Sequence, residues 1–332
     1  MARIKDVALL AGVNRSTVSR IINGEGKFRA DTKRRVEQAM AELNYRPSEV
    51  ARSLATASSK MIGLLVSYYT GGFFGELMNQ VQTELDFHKK FLITAQGHQS
   101  AEGEREAIRR FHDLRCDGYV LNSRHLSDEE LQKLALESPP FVLLDRLVEG
   151  LESRCITFDH TFAGEMAVNH LIEQGNRKIA CISGPLNRDS AGQRYQGYLN
   201  ALTKAEIPID PTLNAEGDYS RESGYLAAKK LYQAHPEITG LFTCSEEMMV
   251  GVIQFFHEYG IEMSKNISFI SYDSVSRCES LYPAVSTVHF PISDMARVAS
   301  SVLISQIKNE DNNMNRHFEP HLRIRNSEKL FS

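Results

Sequence analysis

The stretch Ile4-Lys5-Asp6-Val7-Ala8-Leu9-Leu10-Ala11-Gly12-Val13-Asn14-Arg15-Ser16-Thr17-Val18-Ser19-Arg20-Ile21-Ile22 decides the reading of the chain. Ile4, Val7, Ala8 and Ala11 recur at the spacing of one buried helix face. Gly12 then stands where a helix ends in a left-handed residue, and Asn14 is placed to cap a second helix. On that second helix Val18, Ile21 and Ile22 share the packing side, while Arg15, Ser16, Ser19 and Arg20 face outward. Asn23-Gly24-Glu25-Gly26 makes a loop, and a third helix follows from about Asp31 with Val36, Ala39, Met40 and Leu43 as its core stripe. Helix, glycine turn, helix, loop, helix is the plan of a helix-turn-helix DNA reader. Arg15 and Arg20 can each donate two hydrogen bonds to guanine, and Ser16 is an adaptable partner. Arginines on short helices are often mere surface; the spacing of the whole unit argues against that here.

Charge supports the same division. Residues 1–60 carry twelve Lys and Arg against six Asp and Glu, a net of +6, whereas the remainder carries 26 against 36, a net of −10. A small basic head on an acidic body is what a nucleic-acid-binding module joined to a separate domain shows. A hydrophobic content of 42% and a charged content of 24% in 332 residues fit a globular chain of two or three domains. No apolar run approaches the ~18 residues of a membrane span. The N-terminus lacks the basic-then-apolar plan of a signal peptide, so a cytoplasmic protein is expected. Cys116, Cys155, Cys181, Cys244 and Cys278 show no metal-ligand spacing and read as reduced, packed thiols.

Ile4-Lys5-Asp6-Val7-Ala8, Ala11-Gly12-Val13, Thr17-Val18-Ser19-Arg20 and Leu43-Asn44-Tyr45-Arg46-Pro47 together resemble the headpiece of the lactose/galactose repressor family. The resemblance implies that Arg15, Ser16 and Arg20 read bases. It also marks a departure: the family usually caps the third helix with Ser or Thr, and Arg29 stands there. Either Asp31 caps instead, or Arg29 meets a phosphate. In Ser48–Thr56, Val50, Ala51, Leu54 and Ala55 form one stripe on a helix of barely two turns, marginal alone in water. Two copies packed together, with Leu54 wedged into a minor-groove base step, would stabilise it, and the family uses its hinge helix so. The polar Ser58-Ser59-Lys60 also suits a plain tether. The candidate DNA-contacting set is Asn14, Arg15, Ser16, Arg20 and Arg29, with Ala51 and Leu54 in the hinge.

From Met61 the pattern alternates. Strand-like runs at Met61–Ser67, Phe91–Ala95, Gly118–Leu121, Phe141–Leu144, Cys155–Phe158, Lys178–Ser183, Gly240–Thr243 and Ile267–Ser271 are separated by helical stretches between most of them. Such alternation implies parallel sheets covered by helices, with a ligand cleft at the carboxyl ends of the strands. The region resembles the type I periplasmic sugar-binding fold of the same family, through landmarks such as Val142-Leu143-Leu144-Asp145-Arg146 and Ser271-Tyr272-Asp273. Arg115-Cys116-Asp117-Gly118 leans toward the galactose-repressor branch. The expected fold is therefore an all-α helix-turn-helix headpiece (1–47), a hinge helix and linker (48–60), and an α/β effector and dimerisation domain (61–332). The last divides into two doubly wound parallel-sheet subdomains, about 61–160 with 291–317 and about 161–290 with 318–326. The resemblance implies three crossings between them, near Asp159–Phe162, Phe290–Ile292 and Asn315–Phe318.

Sugar recognition needs planar groups for paired hydroxyls and an aromatic face for the ring. At the cleft positions that the resemblance implies, Phe73, Phe74 and Tyr219 are candidate stacking surfaces in a chain without Trp. Core packing is the competing role for Phe73 and Phe74. Asp145, Arg194 and Asp273 are candidate hydroxyl partners, an Arg and an Asp each partly satisfying the other in an empty site; Asp159, Arg188 and Ser190 come second. Where the family shows Asn-Asp, this chain has Ser245-Glu246, so Ser245 reaches less far and the ligand cannot be copied from galactose regulators.

No phosphate loop, dinucleotide fingerprint, serine-hydrolase elbow or zinc-protease motif is present, and the His112–Cys116 pair has no further metal ligand in sight. No enzyme activity, cofactor or metal is expected. The expected partners are pseudo-palindromic operator DNA, a small effector read as a sugar, and a second copy of the chain, since the end at Ser332 is too short for the family's tetramerising leucine tail. A purine-type corepressor, or a helix-turn-helix fused to a sugar kinase, are the other readings.

Overall fold

The computed structural model describes residues 2–24, 26–46, 58–273 and 277–328. Ala51 and Leu54, and with them the hinge helix, lie outside the described residues.

Three helices form the head: α1 (Ile4–Ala11), α2 (Arg15–Asn23) and α3 (Ala30–Glu42). Val7, Ala8 and Ala11 of α1, Val18 of α2, and Val36 and Ala39 of α3 close into one small cluster, with Ile21, Ile22, Met40 and Leu43 packed on it. Gly12 turns the chain between α1 and α2 at φ +63°, and Gly24 ends α2 at φ +70°. Both are left-handed positions that cost a side-chain-bearing residue free energy. Asn14 occupies the cap position of α2 with extended backbone, yet its side chain makes no capping bond. Arg29 likewise precedes α3 without capping it. Nor does Asp31 cap in its place, because its carboxylate is held one turn along by Arg34 at 3.0 Å and Arg35 at 3.5 Å.

The body holds β1 (Met61–Val66), α4 (Gly72–Phe87), β2 (Phe91–Gln96), α5 (Ala101–Asp113), β3 (Gly118–Leu121), α6 (Asp128–Glu137), β4 (Phe141–Leu144) and β5 (Cys155–Phe158). There follow α7 (His160–Glu173), β6 (Ile179–Ser183), α8 (Asp189–Lys204), β7 (Asn214–Glu216), α9 (Arg221–Ala234), β8 (Gly240–Thr243), α10 (Glu246–Tyr259), β9 (Ser268–Asp273), β10 (Ser286–His289), α11 (Ile292–Lys308), β11 (His317–Phe318) and β12 (His321–Arg323). One sheet runs β11-β5-β4-β3-β1-β2 and the other β12-β10-β9-β8-β6-β7. All pairings are parallel except β10 with β12. The chain passes between the sheets at Asp159, at Phe290–Pro291 and at Glu319–Pro320. The last passage falls just beyond 315–318 because the two-residue β11 first pairs with Thr157 and Phe158 of β5.

Helix pairs on the second sheet touch backbone to backbone. A Cβ on Gly164 of α7 would lie 2.3 Å from the Arg194 carbonyl of α8, and one on Gly197 would lie 2.2 Å from the Thr161 carbonyl. No real side chain tolerates either distance. These paired glycines bring α8 close enough for Arg194 to reach the first residue of α7. Gly224 and Gly251 do the same for α9 and α10, at 2.1 Å from the Met248 carbonyl and 1.9 Å from the Arg221 carbonyl.

Candidate functional site

Two surfaces carry chemistry. On the head, Arg15, Ser16 and Arg20 of α2 are exposed, as are Asn14 and Arg29 at the helix starts. Ser16 and Arg20 stand one turn apart on the same side of α2. The Arg20 guanidinium lies over the Phe28 ring at 5.5 Å, which restricts a long side chain before any ligand arrives. Gly26 makes room for that arrangement, since a Cβ there would meet Arg20 Nη2 at 2.6 Å. Phe28 was not singled out from sequence; an aromatic beside a glycine loop was its only signal.

The second surface is a cavity of about 670 Å³ at the carboxyl ends of the strands, lined from both sheets. Phe73, Phe74, Asp145, Arg188, Ser190, Arg194, Tyr219, Ser245 and Asp273 all face it. Asp159 does not; it caps α7 by accepting the Phe162 N–H at 2.8 Å.

A buried polar chain joins Arg124 and Asp145 to Arg194 on the cavity wall through His160, which does not itself line the cavity. Asp145 follows β4 in a left-handed conformation (φ +58°) that an Asp tolerates better than most residues. Its carboxylate accepts from Arg124 Nη2 at 2.6 Å and from His160 Nε2 at 2.8 Å. Arg194 Nε donates to His160 Nδ1 at 3.1 Å, and Arg194 Nη1 to the Cys244 carbonyl at 2.5 Å. Because Nδ1 accepts from a guanidinium, the imidazole is neutral and carries its proton on Nε2, toward Asp145. Below the chain Arg194 lies 4.1 Å over the Tyr272 ring, and His160 stacks on Phe290. Burial alone would raise the Asp145 carboxyl, but the hydrogen bond from His160 and the adjacent Arg124 guanidinium outweigh it and hold the group below the usual carboxylate range. Burial pushes His160 below its ordinary value against the pull of Asp145. Arg124 is aimed by the loop after β3, which Glu104 grips through the N–H groups of Arg124, His125 and Leu126 and the Ser123 hydroxyl.

The Arg–Asp pairing expected of an empty site is present, with a different arginine. Asp273 does not answer Arg194. It accepts from Thr287 Oγ1 at 3.5 Å and Arg325 Nη2 at 3.4 Å, with Arg323 at 3.9 Å, because β10 pairs with β9, and β12, on the far side of β10, brings in the C-terminal arginines. The Arg–Asp pair of the empty site is Arg124 with Asp145. Ser245 spends its hydroxyl on capping α10, accepting from Met248 N at 3.2 Å. Phe73 and Phe74 both line the cavity and pack on the core, Phe73 against Phe290 at 5.5 Å, so the two roles coexist. Tyr219 is pinned between Arg188 and Gly184, where a Cβ would collide with its hydroxyl at 2.4 Å. Arg188 also donates to Gln99 at 2.6 Å, a bond from the second sheet's side to the first's.

Arg124, His160, Tyr272 and Gln99 were missed from sequence. Arg124 follows a strand end by three residues and His160 stands at a crossing, so position relative to strand ends was the usable signal.

Neutral buried histidines set a pH dependence. His289, beside Arg323, His321 and Asp273, is pushed down to about 4 by burial first and Arg323 second. A depressed folded value means the unfolded chain takes up the proton more readily, so this stability is present above about pH 6.5 and is lost as pH falls toward 4. The melting temperature should fall across that window, less steeply in His289→Asn. Identical slopes in variant and parent would remove His289 from the explanation.

Residues 3–48 match the family described as bacterial regulatory proteins, lacI family, and residues 168–327 match the periplasmic binding protein-like domain. The chain is 34% identical over 325 residues to the HTH-type transcriptional repressor PurR of Vibrio atlanticus, covering 98% of this chain and 97% of that one. It is also 34% identical over 316 residues to the ribose operon repressor of Haemophilus influenzae, covering 94% of each. Among solved structures, the lac repressor dimer bound to operator and the anti-inducer ONPF superposes with a TM-score of 0.87 at 26% identity, over 99% of both chains.

Proposed function

This chain belongs to the lacI family of bacterial regulatory proteins, a family of transcription regulators rather than enzymes, and on that premise we propose how its parts divide the work. The head, residues 1–47, binds pseudo-palindromic operator DNA as half of a two-fold dimer, with Arg15, Ser16 and Arg20 at base edges and Asn14 and Arg29 at the backbone. Residues 48–60 form the hinge and linker, with Ala51 and Leu54 at the minor groove. Residues 61–332 bind a small effector and dimerise. Filling the cavity shifts the population between two arrangements of the sheets and so changes operator affinity. The setting is the cytoplasm, where the operator is; among the described residues no helix is long and apolar enough to cross a membrane.

The observation that carries this reading is the Arg124–Asp145–His160–Arg194 chain behind the cavity wall, three of whose four members line the cavity. It sets the Arg124 and Arg194 guanidiniums and the Asp145 carboxylate on the same lining as the rings of Phe73, Phe74 and Tyr219, the chemistry of a sugar's hydroxyls and ring face. A carbohydrate-utilisation operon is the implied target. Likeness to PurR favours a purine corepressor as the second reading, and the same flat donors and aromatic rings would suit a nucleobase.

Thermal-shift measurement of the purified chain against ribose, lactose, cellobiose, glucose and hypoxanthine tests both. A ligand of the native state at about a hundred times its Kd adds about 2.7 kcal/mol and raises the Tm by several degrees. A shift with a sugar supports the first reading. A shift with hypoxanthine alone overturns it in favour of the second.

A further inference from the structure

At the opposite end of the first sheet from the cavity, one carboxylate gathers the residues through which the DNA-reading segment joins the body. Asp117, immediately before β3, accepts the Ser58 hydroxyl at 2.7 Å, the Ser59 N–H at 2.8 Å, the Ser59 hydroxyl at 3.2 Å and the Lys60 N–H at 3.1 Å. Lys90, from the turn between α4 and β2, completes the set at 2.7 Å. Both side chains of that ion pair are nearly enclosed, at 12% and 8% exposure. Lys60, whose N–H is one of these donors, stands in a left-handed conformation, φ +62°. Burial works against the charged form of Asp117, and the Lys90 and Ser58 bonds more than offset it, so the carboxylate is ionised at neutral pH and paired with the Lys90 ammonium. Charge-assisted bonds of this kind are the strong ones.

The strand behind the clasp leads to the cavity. β3 lies in the interior of its sheet between β4 and β1, paired on both sides. Asp117 N–H bonds the Met61 carbonyl at 2.7 Å at one end of β3, and Asn122 N–H bonds the Leu65 carbonyl at 3.1 Å at the other. Three residues past the strand, Arg124 holds Asp145. One short, doubly paired strand of roughly 13 Å therefore joins the cavity's ion pair to the root of the linker.

We propose that Asp117 is a positioning residue that couples the effector cavity to the DNA-reading head by clasping residues 58–60 to the end of β3. The inference rests on the function proposed above. When the Arg124 end of β3 shifts, the clasp carries the displacement into the linker; without it the linker is released, and head and body act independently.

The test is hydrogen exchange on the full chain, with and without the duplex that the parent protein enriches from a randomised DNA pool. In the parent, duplex should slow exchange in α2 and alter it in 122–126, beside the cavity. In Asp117→Asn, and in the milder Ser58→Ala with Ser59→Ala, which leaves Asp117 and Lys90 paired, protection of α2 should persist while the response at 122–126 disappears. Duplex affinity should fall roughly tenfold in Asp117→Asn, the scale of one charge-assisted bond. A response at 122–126 that survives in both variants, or that the parent never shows, overturns the proposal. A parent that enriches no duplex overturns the proposed function and removes the premise of the clasp with it.

Discussion

Asp145→Asn is expected to cost the body about 3–5 kcal/mol of stability, the penalty for removing one partner of an enclosed ion pair. The substitution keeps the volume and a residue type at ease with φ +58°, so backbone strain does not confuse the result. It removes the charge that answers Arg124 and turns an amide donor toward Arg124 or His160, each of which is itself a donor there. Where the amide N–H faces His160 Nε2, the imidazole is left without its acceptor, and Arg194, which leans on His160 Nδ1, loses a fixed partner. Urea denaturation should report the loss of stability, and the thermal shift with any effector found for the parent should vanish. A loss below about 1 kcal/mol with the effector's shift retained would show that the polar chain is not what holds the site.

The second large effect is expected on the head. Each good bidentate contact from arginine to guanine discriminates by about 1–3 kcal/mol, so Arg15→Ala with Arg20→Ala should flatten the chain's preference among duplexes. Binding to arbitrary DNA should survive, because phosphates supply it. Arg29→Ala provides the contrast: binding weakened uniformly across sequences, with the salt dependence reduced by about one charge and the preference unchanged. Competition titrations at two salt concentrations separate the two outcomes. If the double variant keeps the parent's sequence preference, α2 is not the reading helix.

Much of this architecture was legible in the sequence because periodicity reports one buried face at a time. The head showed a helical stripe on each of its three helices, and the strands at the centres of the sheets are short apolar runs bounded by turns. In α11 nine residues are buried opposite a narrow polar face of Asp294, Arg297, Ser301, Ser305 and Lys308, and the helix was legible but not singled out. Elements without such a stripe escaped. α6 fully buries only Leu131 among its residues, and β11 and β12 are too short to have a period. The cavity was legible in composition and not in pairing. Nine candidates face it, yet Asp273 is turned to Arg325 and Thr287 by strands whose pairing no local pattern announces. His160 and Arg124 went unnoticed because a lone histidine at a crossing and an arginine in a loop look ordinary until Asp145 is placed between them.

The measurement that bears most directly on regulated DNA binding is the Kd of the full chain for its selected duplex, with and without the small molecule that stabilises it. Coupling between two sites amounts to about 1–3 kcal/mol, and the Kd is expected to change roughly five- to 150-fold, with the reciprocal change in effector affinity when duplex is present. An effector that raises the Tm yet leaves the duplex Kd within about twofold would contradict the regulatory role, since a ligand that binds both arrangements equally shifts nothing.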